Sequence, residues 1–281
     1  MPSYCKGEAC AEKKKQAEDL KRQADQMMAV GDYAEAAKTY GAAAALDPDD
    51  ASLPKLKKMA ERKAQAQELK KQAEHEVEAG DYAKAVETFD AALKFDPHND
   101  EIKEERADAL RKQKAKELKK QGEEEMAAGD YEKATATLLD ALHADPYNRA
   151  IAAEEAEAAK KAKAAELKKE ADEMMADGDY ADAARTYGTA AGLDPSDDRL
   201  PALKEEADKK AQAQRLKAQA ELEAATGDFA KAVETFDEAL KLDPDNSEIK
   251  EEREAADRKA KALALKAQGE KEMADGDYAK A

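Results

Sequence analysis

The chain has 281 residues, 40% of them charged and 42% apolar, with nine Tyr, four Phe and no Trp, and its formal charge is −17. A field of that sign repels phosphate backbones and anionic lipid, so nucleic acid and membrane surfaces are argued against and protein partners are left. No run of eighteen apolar residues offers membrane insertion, and the opening MPSYCKGEACAEKKK lacks the apolar stretch of a signal peptide, so a cytoplasmic location follows by default.

That opening carries Cys5 and Cys10, outside any repeated pattern. In a reducing compartment they are free thiols, and their candidate role is an inter-chain disulfide or an end-to-end junction. A metal site would need further ligands close by, and His75, His98 and His143 are scattered along the chain. No metal and no cofactor is expected.

Beyond the opening, dominance of Ala, Glu, Lys, Leu, Gln and Arg at helical spacing predicts helices throughout. The first turn signal is Gly31-Asp32-Tyr33. It recurs as Gly80-Asp81-Tyr82, Gly129-Asp130-Tyr131, Gly178-Asp179-Tyr180, Gly227-Asp228-Phe229 and Gly276-Asp277-Tyr278, each 49 residues beyond the last. Pro48, Pro97, Pro146, Pro195 and Pro244 keep the same step. The expected organisation is one array over residues 1–281, with units at about 2–50, 51–99, 100–148, 149–197, 198–246 and a truncated 247–281. The closest copies lie three steps apart, which makes a module of 147 residues. Because the text stops inside the opening of a helix, the array is expected to continue beyond residue 281.

Within a unit, Gly suits the left-handed position that closes one helix, and Asp caps the next by accepting a backbone N–H. Tyr33 then begins a short helix with Ala36, Tyr40, Ala43 and Leu46 on one face. The corresponding packing residues are Tyr82, Ala85, Phe89 and Ala92; Tyr131, Ala134, Leu138 and Ala141; Tyr180, Ala183, Tyr187 and Ala190; and Phe229, Ala232, Phe236 and Ala239. The aromatic opening each short helix and the series Met28, Met126, Met175 and Met273 are read as core. An Asp-Pro pair ends each short helix.

These residues resemble the tetratricopeptide repeat, a 34-residue helix-turn-helix. In the first unit its pattern falls on Leu20, Ala24, Gly31, Tyr33, Ala36, Tyr40, Ala43 and Pro48. No Trp opens the first helix, and each unit has about fifteen residues more than the family's period.

The surplus, as in ASLPKLKKMAERKAQ, has no internal Gly, and Pro54 and Pro201 stand where a first helical turn accepts proline. Hence one continuous helix of about 28 residues, about 42 Å long, should alternate with a helix of about 14. The fold class is all-α, an elongated solenoid or rod of such hairpins with three helices at each level. The alternative is a kink giving a separate third helix per unit.

In tetratricopeptide adaptors that hold an acidic tail, the resemblance implies a clamp of Lys, Asn and Arg on the first helices. At that place stand Lys21, Lys70, Lys119, Lys168 and Lys217, the candidate partner surface, and Lys266. Four residues on, where the clamp has Asn, stand Asp25, Glu74, Glu123, Asp172, Glu221 and Glu270. A Lys followed by an acid at that spacing is an intrahelical pair on a solvated face. The acidic turns lack the spacing of a calcium loop, and no phosphate loop, zinc motif or nucleophile–histidine pairing is present, so no enzyme activity is expected. The expected function is a scaffold or filament component presenting regularly spaced protein-interaction surfaces to a periodic partner or to its own copies. By analogy its host would be a cytoskeletal or ciliary assembly. The alternative is a soluble adaptor of the co-chaperone kind that grips partner tails.

Overall fold

The computed structural model of the chain describes residues 8–276, so Cys5 and Tyr278 lie outside the described residues. Among the described residues there are eleven α-helices and no strands. The long helices are α1 (Glu8–Ala29), α3 (Leu53–Glu78), α5 (Asp100–Ala128), α7 (Arg149–Asp177), α9 (Arg199–Ala225) and α11 (Ser247–Ala274). Between them lie α2 (Tyr33–Leu46), α4 (Tyr82–Phe95), α6 (Tyr131–Ala144), α8 (Tyr180–Leu193) and α10 (Phe229–Leu242). Every short helix has 14 residues. The long helices from α3 onward run 26 to 29 residues without a break. The surplus residues therefore extend a helix, and the kinked alternative does not form.

The boundaries follow from local chemistry. Gly31 and Gly80 take φ of +84° and +74°, a conformation that costs a residue with a Cβ. The next amide then reaches back to the helix it has left: Asp32 N donates to Met27 O at 2.9 Å and Gly31 N to Met28 O at 3.3 Å, the paired bonds of a Schellman end. The Asp32 side chain accepts from Glu35 N, and Asp81 and Asp228 repeat this on Lys84 N and Lys231 N. Long helices restart in two ways. Asn99, Asn148 and Asn246 accept from the amides of Ile102, Ile151 and Ile249, whereas α3 opens with proline in its first turn.

The chain divides into two compact units: Met1–Glu124 with Ala136–Ala152, and Glu125–Thr135 with Ala153–Ala281. Their limits fall inside α5, α6 and α7. The first unit has one core around Tyr40 and a second around Phe89. The second unit has cores around Tyr187 and Phe236. Each core takes the distal half of one long helix, the short helix after it and the proximal half of the next long helix. Alanine lines the seams, so the large apolar area comes from one ring and one aliphatic anchor per core, such as Tyr40 with Leu53 or Phe89 with Ile102. At about 1.5–3 kcal/mol for each such side chain, one repeat alone buries too little to offset its own ordering, and neighbours supply the rest.

Candidate functional site

The candidate packing positions fall into three environments. Ala36, Ala85, Ala134, Ala183 and Ala232 are fully buried, and so are Ala43, Ala92, Ala141, Ala190 and Ala239, with Tyr40, Phe89, Leu138, Tyr187 and Phe236 buried between them. Tyr33, Tyr82, Tyr131, Tyr180 and Phe229 are only half-buried. A lysine of the next long helix lies over each ring: Lys63 is 5.3 Å from the Tyr33 centroid, Lys116 5.9 Å from Tyr82 and Lys259 5.2 Å from Phe229. This corrects the reading of that series as core. A ring in a helix's first turn has a short helix on one side only, and a phenol keeps its hydroxyl near water while its face meets a cation. Met28 and Met175, though half-buried, pack against the cores around Tyr40 and Tyr187 as read, whereas Met126 is half-buried and Met273 exposed. Pro48, Pro97, Pro146, Pro195 and Pro244 are exposed, so they end helices without packing.

The core ring and the acid of the preceding long helix vary together. Tyr40 Oη donates to Asp25 Oδ1 and Tyr187 Oη to Asp172 Oδ1, both at 2.5 Å. Burial, then these carboxylates, push both phenols up. Where the ring is Phe89 or Phe236, the acid is Glu74 or Glu221, one methylene longer, and it turns to a lysine instead.

That lysine series does pair within its helix: Lys70 with Glu74, Lys119 with Glu123, Lys168 with Asp172 at 2.7 Å and Lys217 with Glu221. The solvated-face reading is nevertheless corrected at two of them. Lys70 has a side chain only 13% exposed, and its ammonium reaches across to α5, 2.8 Å from Glu105 and 3.4 Å from Glu101. Lys217 repeats this on α11, 3.1 Å from Glu252 and 3.3 Å from Glu248. Burial pulls the Lys70 and Lys217 pKa down, but their carboxylate partners outweigh it and leave both above the usual lysine value. Lys21 departs from the pattern, with Ser52 Oγ at 3.0 Å and Asp50 at 3.5 Å. Each lysine's partners are set by what opens the following long helix.

Sequence reasoning missed a set of buried glutamates. Glu76 accepts from Thr88 Oγ1 at 2.7 Å and Gln72 Nε2 at 3.2 Å, with Lys84 at 3.3 Å. Glu223 has the same three partners in Thr235, Gln219 and Lys231. Burial alone would push the Glu76 carboxyl up, yet these donors hold it below the usual carboxylate range. The signal was present as Gln four residues before each Glu and Thr and Lys in the facing helix.

Concave surface recurs where a Gly-Asp-Tyr turn faces the next long helix. One groove is lined by Tyr82, Gln113, Lys116 and Lys120, and its counterpart one unit later by Tyr131, Ala162, Ala165 and Lys169. A tighter cavity of about 280 Å³ lies among Tyr131, Lys161, Lys168, Asp194, Asp197 and Arg199. There Arg199 stands where two other junctions have Glu101 and Glu248 and two have Ser52 and Ala150, and it pairs with Asp197 at 2.8 Å. Cys10 is half-buried on α1. Among the described residues no cluster of His, Cys, Asp or Glu could hold a metal ion, and no helix is long and apolar enough to cross a membrane.

Known proteins are similar to this chain in part. Residues 213–256 and residues 70–118 each match a model of the tetratricopeptide repeat. No curated protein matches the chain. A solved structure described as the TPR2AB-domain:pHSP90-complex of yeast Sti1 is similar at 19% identity, over 87% of this chain and 98% of that one, with a TM-score of 0.22. With its Schellman-ended helix pairs, small-residue seams and two matching stretches, the chain is a tetratricopeptide-repeat-like helical repeat protein.

Proposed function

We propose that the chain is a non-enzymatic cytoplasmic scaffold whose repeats present equivalent protein-interaction surfaces, to a periodic partner or to copies of itself. Tetratricopeptide repeats are an interaction fold and not typically a catalytic one. The observation that carries the proposal is that contacts between helices recur three repeats apart. Arg106 forks onto Asp90 at 2.6 and 3.1 Å, and Arg253 onto Asp237 at 2.9 and 3.1 Å. The Lys70 and Lys217 nodes recur at the same interval. These two cross-helix ion pairs are thus repeated at a step of 147 residues, the kind of regular spacing that a periodic assembly uses. Electron microscopy and sedimentation of the purified chain test this. Ordered assemblies with a regular repeat support it; single-chain particles at every concentration up to about 1 mM, where even weak contacts of about −4 kcal/mol associate, would remove it.

A second reading, a soluble adaptor for acidic tails, is favoured by the cavity beside Lys168 alone. Lys70 and Lys217 are already surrounded by carboxylates that would repel a tail. Lys161, Lys168 and Arg199 converge there with less acid around them. Titration with a peptide ending in acidic residues, repeated on Lys168→Glu, tests it; unchanged binding by the variant would discard the reading.

A further inference from the structure

A lysine lies over the ring that opens each short helix, and at three junctions it also faces the end of the short helix that follows. Lys63 is 5.3 Å from the Tyr33 centroid and 3.4 Å from the carboxylate of Asp96, whose side chain is only 13% exposed. Asp96 is the C-cap of α4, so one ammonium on α3 meets both the start of α2 and the end of α4. Lys161 is 5.8 Å from Tyr131 and lines the same cavity as Asp194, the C-cap of α8. Lys210 is 5.7 Å from Tyr180, and its pKa is raised by Glu206 first, then by Asp243, the C-cap of α10, and Tyr180.

The distance to the ring follows the residue four places before the lysine. Where that residue is Met59 or Ala255, the lysine is closest, at 5.3 Å for Lys63 and 5.2 Å for Lys259. Where it is Glu157 or Glu206, its carboxylate takes a share of the ammonium, 3.5 Å from Lys161 and 3.2 Å from Lys210, and the rings stand at 5.8 and 5.7 Å. In the remaining copy it is Asp108, which holds Lys112 at 2.8 Å. There Lys116, one turn further on, covers Tyr82 at 5.9 Å and donates to Gly80 O at 3.0 Å. An acid at this spacing and a ring compete for one charge, and every junction still keeps a cation over its ring.

We propose that this lysine series is a strap coupling each repeat to the next, and that the residue four places earlier sets how firmly it holds. When the core around Tyr40 opens, the Tyr33 ring leaves Lys63, whose ammonium then swings toward water and releases Asp96 at the end of α4. The long helix passes through both cores, but the strap links the two short helices to each other directly. It acts within the array and stands whether or not the chain assembles or binds a partner.

Hydrogen exchange of the 281-residue chain, read by mass spectrometry on peptides from α2 and α4, tests this. Ala43→Val, which loosens the core around Tyr40, should speed exchange in α2 and carry over into α4. Lys63→Met keeps the stem and removes the charge, and with it the carry-over into α4 should fall about threefold, the scale of a cation over a part-exposed ring. Met59→Glu leaves Lys63 in place and copies the Glu206 arrangement, so it should lower the carry-over part of the way, while Lys63→Arg should keep it. Arg62→Met is the control, because Arg62 holds the same end of α4 through Lys94 O at 3.1 Å, and it should leave the carry-over intact. An α4 response to Ala43→Val that is the same with and without Lys63→Met, or that Arg62→Met lowers as much, would overturn the proposal. So would a parent chain in which α4 does not respond to Ala43→Val.

Discussion

Tyr40 and Asp25 are joined by a 2.5 Å hydrogen bond from the phenol to the carboxylate, and the next Tyr copy, Tyr187 with Asp172, reproduces it. The Phe copies pair with Glu instead, so ring and acid form one exchangeable unit. Tyr40→Phe should destabilise the first core by about 1 kcal/mol, because the phenol's charge-assisted hydrogen bond to Asp25 is lost. Adding Asp25→Glu should recover most of that, since it recreates the Phe89–Glu74 combination. Urea unfolding of the single and double variants measures both.

Glycine gives three outcomes from one substitution. Gly192→Ala meets nothing within 4 Å and has no positive φ, so it should stabilise by up to about 1 kcal/mol through helix propensity. Gly122→Ala should destabilise by about 1–3 kcal/mol through its collision with Leu138. Gly31→Ala has open space but sits at φ +84°, and should cost about 1 kcal/mol in strain. Thermal unfolding of the three variants gives the order, and a Gly122→Ala variant as stable as the parent would contradict the packing of Leu138 against Gly122.

The alanine seams tolerate no growth. Ala43 and Ala92 are fully buried, and Val or Leu at either place should cost about 1–3 kcal/mol by forcing the helices apart. The urea midpoint should fall without a comparable change at Ala45, which is exposed.

Two glutamates should respond to acid with opposite signs. Glu76 is held below its usual value of 4.5, so it contributes stability above pH 4.5 that is lost as pH falls through its lower folded value. Glu76→Gln should therefore destabilise at pH 7, by about 1–2 kcal/mol, and flatten the decline in acid. Glu252 is pushed up by burial, which together with Glu221 outweighs the opposing pull of Lys217. Its ionised form is the disfavoured one in the fold, so its contribution is greatest at low pH and is lost as pH rises through the raised value. Glu252→Gln should hold or raise the urea midpoint at pH 7. Both variants lowering the midpoint at pH 7 and leaving its acid dependence unaltered would refute this pairing.

The helix ends were legible in the text because they are local. Gly-Asp-aromatic and Asp-Pro act within one turn, and the observed short helices begin at Tyr33, Tyr82, Tyr131, Tyr180 and Phe229, where that signal places them. The alternation of long and short helices and the three-helix composition of each core follow from the same spacing. What lay beyond the sequence was the surroundings of identical residues. Lys70 and Lys168 occupy the same repeat position, yet Lys70 is enclosed by Glu74, Glu101 and Glu105 while Lys168 borders a cavity with Arg199. Tyr33 was read as core and lies beneath Lys63, and Glu76 drew no notice and is buried. Capping and periodicity are set by neighbours a few residues away, whereas burial of a charge or a ring depends on the register between helices some thirty residues apart, and only their packing decides that.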